Sequence, residues 1–479
     1  MSAYVIITSK MKLDGDLMFE RRMPEENEEL QLLSLKEDHF NDLKSKDIKP
    51  AKLQESFVSF ANSDGGELFV GIMDAKENGE RIIGITKPED ANNFISVLLE
   101  ETKPAVENVE LEYIDFEDRG LILHISIPKS TQVHYTSQDE CFIRVNAEKR
   151  KIKGDRILKL AYSKGSIPYE KKIVDIVELE DIIEGPHLDN YMSRVGSKQD
   201  PKTFLRKQRL LTKFEDELKP NVSCVLLFDE EPQATLDTRC AIKVYRLKTT
   251  GNEYKRELLA FEPKTINGTI EEQIKEVKMI VNSILNDATF IVDGKTSKLL
   301  YPPDALHEIL VNAVIHRDYS INDDIHVKIF DNRIEILSPG KLPGYITVQN
   351  IYQERYSRNP NLVRMLHNAP NPVNHDIGEG LDTARNELKK VGLVEPLIEE
   401  TDNAVVITLR HERIATLEQI IMDYLQSNPY VTNKIVRELS GNSDINKVKQ
   451  ALQRLRKEGK IQLVNSNARK FDYKYELTL

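Results

Sequence analysis

The stretch 48–74 limits the fold more than any other part of the chain. From Ile48 to Ala61 apolar residues recur at helical spacing (Leu53, Phe57, Phe60, Ala61), and Pro50 suits a helix start. The turn sequence Asn62-Ser-Asp-Gly-Gly66 follows at once, and then ELFVGIM, dense in strand formers. A helix that reverses directly into a strand commits this part of the chain to a mixed α/β unit. Gly65 and Gly66 supply the φ > 0 that so tight a reversal needs, and Asn62 and Ser63 are placed to satisfy backbone groups there. Strand candidates at 121–128 (LILHISIP) and 141–146 (CFIRVN) carry the unit to about residue 165.

The remainder divides by pattern. Residues 1–30 form a lead segment with a strand candidate at Tyr4 to Thr8 and the acidic stretch Glu25 to Glu29. A connecting region over 166–298 has helical patterns near 175–215, a buried-strand candidate SCVLLFD (223–229), a strand AIKVYRL (241–247) and a long amphipathic helix over roughly 269–286. From Pro302 the pattern is a helix (304–317), the strands IHVKIF and RIEILS, a Gly/Pro loop, and a helix after Gly378-Glu-Gly380. The last stretch, 411–479, reads as three helices and a two-stranded wing. The expected segments are therefore 1–30, 31–165, 166–298, 299–410 and 411–479. At 479 residues, and ~150 residues per domain, the length alone predicts about three domains. The fold class expected is α/β multidomain.

Charge and cysteine usage exclude several functions. With 67 Lys+Arg against 78 Asp+Glu the net charge is −11, so any nucleic-acid contact must rely on local patches. Two such patches exist. Residues 148–164 hold seven basic and two acidic residues, and residues 416–479 hold 11 basic and 7 acidic. Cys141, Cys224 and Cys240 form neither pairs nor a CxxC, which argues against a disulfide scaffold and a structural zinc. The opening MSAYVIITSKMKLDGD lacks a secretory pattern, and no apolar run approaches the ~18 residues of a membrane span. A cytoplasmic protein with no membrane partner is expected.

Glu37, Asp42 and Lys44 give a pair of carboxylates followed by D-x-K, and some thirty residues later the strand GIMD ends in Asp74. Metal-dependent phosphodiester cleavage needs two or three carboxylates around one or two Mg²⁺ or Mn²⁺, with a lysine to position water. The block SFANSDGGELFVGIMD, with Lys44-x-Lys46 and Pro50 upstream and Ile82-Ile-Gly84-Ile downstream, resembles the Schlafen AlbA-type domain over roughly residues 30–165. That resemblance implies a Schlafen/AlbA-like α/β domain in which Glu37, Asp42 and Asp74 hold metal and Lys44 assists. Asp42 stands where the family usually has Glu, which shortens the reach by one methylene. Arg144, Lys149, Arg150, Lys151 and Lys153 are the expected contacts to a nucleic-acid backbone.

In the helix PDALHEILVNAVIHRD, Leu306, Ile309, Leu310, Ala313 and Val314 share one face, and Glu308 and Asn312 the opposite one. An E-x-x-x-N pair so placed can activate water through the Glu and ligate Mg²⁺ through the Asn. Its context is YPPDALHEILVNAVIHRDYS, DNRIEILSPGKLPG, YSRNP and DIGEGLDTARNEL. Together these resemble the divergent ATP-binding domain of the GHKL superfamily over about 300–410, a GHKL-like α/β sandwich. The resemblance implies ATP as cofactor, with Glu308 as base, Asn312 on Mg²⁺, and Gly378 and Gly380 letting backbone N–H groups approach phosphates at a helix start. The superfamily's adenine-reading D-x-G-x-G is here Ser338-Pro-Gly340-Lys-Leu, which leaves Ser338 and Gly340 at the base. His316-Arg-Asp318 lacks the Asn and D-F-G of a kinase, and Gly294-Lys-Thr296 lacks the first Gly of a P-loop.

The C-terminal pattern is that of a winged helix-turn-helix. Its presumed recognition helix, 445–458, carries Lys449, Arg454 and Lys457 as nucleic-acid contacts. The combination predicts an ATP-regulated protein acting on DNA or RNA, in the first place a metal-dependent Schlafen-like nuclease with a bacterial-type defence or stress role, with a nucleotide-sensing DNA-binding transcriptional regulator without cleavage as the alternative. A homo-oligomer is compatible with either.

Overall fold

The computed structural model describes residues 20–73, 80–287, 290–292, 295–297, 301–368, 372, 380–412, 417–440, 444–465 and 473–478. The strand candidate at Tyr4 to Thr8 and the site candidates Asp74 and Gly378 lie outside them. Strand β1 (Glu20–Arg22) and helix α1 (Glu28–Ser34) lead into β2 (Asn41–Lys44), α2 (Pro50–Ala61), β3 (Gly66–Val70), α3 (Asn92–Leu99), β4 (Glu110–Asp115) and β5 (Leu121–Ile127). The five strands form one sheet in the order β1-β4-β5-β3-β2, with β2 parallel to β3 and β1 parallel to β4. The lead segment therefore supplies an edge strand to this sheet. Alternation decides its two faces. Leu68, Val70, Leu123 and Ile125 pack against α2 and α3, and Leu43, Phe69, Ile114 and Ile122 pack with Leu32 of α1 on the other side.

The helix-to-strand reversal is as tight as its glycines imply. Gly65 has φ +78° and Gly66 φ +155°; a Cβ on Gly66 would come within 2.5 Å of the Phe60 ring. Asn62 and Ser63 serve backbone groups farther off than the turn. Asn62 donates to the carbonyls of His134 and Phe142 and accepts from the His134 amide, which ties the turn to the hairpin β6 (Cys141–Val145) and β7 (Glu148–Ile152). Helix α4 (Asp155–Lys164) packs on that hairpin through Ala161, Ile157 and Leu160.

The connecting region is richer in helix than its sequence pattern predicts. It runs through α5 (Leu179–Glu184), α6 (Pro186–Arg194), α7 (Pro201–Lys207), the hairpin β8 (Leu211–Phe214) and β9 (Glu217–Pro220), α8 (Val222–Phe228), α9 (Pro232–Thr235), β10 (Ile242–Arg246), β11 (Lys264–Ile266), α10 (Ile270–Asp287) and the short hairpin β12 (Phe290–Val292) and β13 (Lys295–Ser297). The expected strand at 223–229 is in fact α8. An unbroken apolar run has no periodicity to separate buried strand from buried helix, and Asn221 settles the matter as N-cap, accepting from the Cys224 amide at 3.1 Å.

Helix α11 (Pro303–Ile315) follows, then β14 (Ile325–Ile329), β15 (Arg333–Pro339), α12 (Pro360–His367), α13 (Gly380–Lys390), β16 (Leu397–Glu400) and β17 (Ala404–Arg410). The second sheet has the order β11-β10-β14-β15-β17-β16, and β10 runs parallel to β14. Two of its strands and α10 thus come from the stretch expected to be a connection. One hydrophobic core extends from Tyr169 to Leu409, so the expected boundary at 298/299 does not divide the packing.

The last elements are α14 (Leu417–Ser427), α15 (Asn433–Ser440), α16 (Ile445–Lys457) and the antiparallel pair β18 (Ile461–Leu463) and β19 (Tyr475–Leu477), with a core of their own. Thr432 accepts from the Ile435 amide at 3.2 Å and so caps α15. Among the described residues no helix is long and apolar enough to cross a membrane.

Candidate functional site

Strand β2 places Asp42 opposite Leu68, under α2, where its side chain is only 3% exposed. Lys44, two residues along and hence on the same face, bonds Asp42 Oδ1 at 2.6 Å and Glu37 Oε1 at 2.8 Å. The other Asp42 oxygen faces Arg144 Nη1 at 3.4 Å. Burial, and a hydrogen bond shared with Asp42, hold the Glu37 carboxyl above its ordinary value against the pull of Lys44. Burial also pushes Asp42 up, but Lys44, Glu37 and Arg144 outweigh it and its carboxyl lies below the ordinary value. Both Asp42 oxygens are therefore engaged by cations. These two carboxylates, as placed, do not fit a divalent ion, because Lys44 already sits between them. No group of three or more metal-ligating side chains occurs among the described residues.

The second site is a cavity of about 620 Å³ between α11, β15, β17 and the start of α13. Glu308 and Asn312 line it from α11, Ser338 and Gly340 from the end of β15, and Gly380 from the first turn of α13. A Cβ on Gly380 would lie 2.7 Å from Glu308 Oε2 and 3.0 Å from Asn312 Nδ2. A side chain at position 380 would have to displace the tips of that pair, so glycine lets the α13 N-terminus approach them as they stand. Ser338 spends its hydroxyl proton on the Ala313 carbonyl at 2.7 Å, so it offers a ligand lone pairs alone. His316, one turn beyond Asn312, also lines the cavity. Burial and the nearby Arg358 push its imidazole down to about 4, which keeps it neutral at pH 7. Its Nδ1 and the Ser357 hydroxyl have no hydrogen-bond partner. Helix N-terminus, carboxylate, amide and unpaired polar atoms around one cavity fit a nucleotide with its Mg²⁺.

Residues 35–153 match the family model Schlafen, AlbA_2, and residues 322–409 match that of the ATP-dependent DNA helicase recG C-terminal. The chain carries a Schlafen AlbA-type domain and an ATPase-like domain. These mark an ATP-associated, nucleic-acid-related protein. No curated protein matches the chain. Among solved structures, the DIP2311 protein from Corynebacterium diphtheriae is similar at 19% identity over 92% of each chain, with a TM-score of 0.38.

Within the Schlafen AlbA-type domain the basic residues have unlike roles. Arg144, expected on a nucleic-acid backbone, is 4% exposed. Its guanidinium donates to the carbonyls of Asp38 and Asn41, faces Asp42 and lies 4.3 Å over the Phe60 ring. It is a buried pin that fixes Asp42, and this corrects the expectation. Lys149 bonds the Lys52 carbonyl and pairs with Glu55, Lys151 pairs with Glu140, and Arg150 pairs with Glu148 at 3.2 Å. Lys153 is exposed beside them. On α16, Lys449 and Lys457 are exposed, and Arg454 pairs with Glu418 at 2.6 Å.

The sequence reading missed Asp64, Lys129, Lys341 and Arg358. Asp64 bonds Lys341 at 3.2 Å and His39 at 2.8 Å, joining the Schlafen AlbA-type domain to a residue that lines the cavity beneath α13. The one signal available was a charge inside NSDGG, where a turn needs no carboxylate at that position.

Proposed function

We propose that this chain is a nucleotide-sensing regulator that binds nucleic acid, with the cavity beneath α13 as its ATP site. The observation that carries the reading is the approach of Gly380 to Glu308 and Asn312, which places a helix N-terminus, an acid and an amide oxygen around one space. Asn312 would hold Mg²⁺ through its side-chain oxygen, and bound Mg²⁺ would neutralise charge on the triphosphate. Glu308 is then the group positioned to take a proton from water, and the N-terminal N–H groups of α13 orient the phosphates. A nucleic acid is met by the exposed lysines of α16, in a winged-helix arrangement, and by Lys153 beside the hairpin β6–β7.

A metal-dependent nuclease of Schlafen type, in defence or stress, is the second reading. It is favoured by the convergence of the Glu37 and Asp42 carboxylates on Lys44, and weighed down by the cations on both Asp42 oxygens. One set of measurements separates the two. Mg–ATP should bind the wild-type chain and lose at least ten-fold in affinity in Asn312→Ala, about 1.4 kcal/mol or more. DNA, RNA and tRNA incubated with Mg²⁺ or Mn²⁺ should remain intact. Cleavage that disappears in Asp42→Ala would establish the nuclease instead.

A further inference from the structure

The wall of the nucleotide cavity formed by residues 340–357 is fastened to the Schlafen AlbA-type half by Asp64, Lys129, Lys164 and Gly165, none of which lines the cavity. Lys129 follows β5, and its buried ammonium donates to the carbonyls of Leu342 at 3.1 Å and Ile346 at 3.2 Å, both cavity residues. The Gly344 amide donates to the Lys164 carbonyl, and the Tyr356 hydroxyl to that of Gly165. Arg358, 1% exposed, bridges the Ser163 and Lys341 carbonyls at 2.8 and 2.6 Å. Tyr356 occupies space that exists only because positions 165 and 344 have no side chain; a Cβ there would lie 2.8 and 2.9 Å from it. Charge reinforces the join. Asp64 and Lys129 from one half alternate with Lys341 and Glu400 from the other, at 3.2 to 3.9 Å.

We infer that the nucleotide site is completed across the two halves, with Lys129 and Asp64 as positioning residues that hold its wall in the nucleotide-accepting shape. This rests on the nucleotide reading of the cavity. Because the wall is formed while these bonds are made, nucleotide binding favours the joined arrangement, and by reciprocity the nucleotide tightens the join. Occupancy is thereby reported to the Schlafen AlbA-type domain 35–153, whose turn at Asp64 lies two residues from Asn62 and the hairpin it holds.

The test uses the full chain. Mg–ATP is titrated calorimetrically into wild type, Lys129→Met and Lys129→Arg, and hydrogen exchange at the Gly344 amide is followed with and without Mg–ATP. Lys129→Met should weaken Mg–ATP about ten-fold, and Lys129→Arg should recover most of that loss. In wild type Mg–ATP should slow exchange at Gly344, and in Lys129→Met it should not. If Lys129→Met does not fold, the isosteric Asp64→Asn carries the same comparison. Equal affinities with unchanged Gly344 exchange would overturn the inference while leaving the ATP site in place. A folded wild-type chain that binds no Mg–ATP would overturn the nucleotide reading and the inference together.

Discussion

His124 shows what single side chains contribute here. On β5 its Nδ1 meets Glu112 at 2.8 Å and its Nε2 meets Glu67 at 2.7 Å, while the ring stacks on Phe69. Burial lowers its pKa, but the two carboxylates outweigh burial and raise it from 6.5 to about 9. A raised folded value means the stabilisation is complete below pH 6.5 and is lost as the pH climbs through 9. Native-state hydrogen exchange of β3–β5, corrected for intrinsic rates, should show about 3 kcal/mol of opening free energy lost between pH 6 and pH 9.5. His124→Gln should flatten that dependence; equal slopes in the two proteins would mean the triad contributes nothing. Legibility at this scale followed sequence distance. Glu308 and Asn312, four apart on one helix, were readable because helical geometry fixes their relation. Arg144 and Asp42 are brought together only by the fold, so a basic residue just before a basic run reads as a phosphate contact. Burial and three carbonyl bonds made it a pin instead.

Secondary structure was legible wherever periodicity or punctuation marked it. α2, β3, β5, β10 and α10 lie close to where the pattern predicts them, since each combines a definite period with a turn or a proline at its edge. α8 was misread because VSCVLLF has no polar residue spaced to distinguish strand from helix, and only the cap distinguishes them. Asn221 is fully enclosed, and besides capping α8 it accepts from Ser223 and donates to the Arg209 carbonyl. Asn221→Ala should therefore cost about 2 kcal/mol, a cap plus a buried Ser223 hydroxyl left without its acceptor. Urea unfolding followed by exchange at Val225 to Phe228 gives the value, and a change below about 0.5 kcal/mol would show that the apolar environment alone holds the helix.

Across the whole molecule, charge is distributed by segment and not by total. A chain at −11 still presents Lys449 and Lys457 on the exposed side of one helix. If α16 meets a phosphate backbone, Lys449→Ala and Lys457→Ala should each weaken duplex binding and reduce the slope of log K against log salt by about one. Anisotropy of a labelled duplex across a salt series measures this, and wild-type slopes in both variants would remove α16 from the interface. The sequence by itself determined the α/β character, the helix–turn–strand of 50–70, and the pairing of Glu308 with Asn312, because each depends on backbone geometry over a few residues. The tertiary structure alone decided that β10 and β11 complete the second sheet, that Arg144 engages Asp42, and that Lys129 and Asp64 join the wall of the cavity beneath α13 to the first domain. Those relations depend on which surfaces pack together, and residues as far as 277 positions apart acquire a distance only when the core closes.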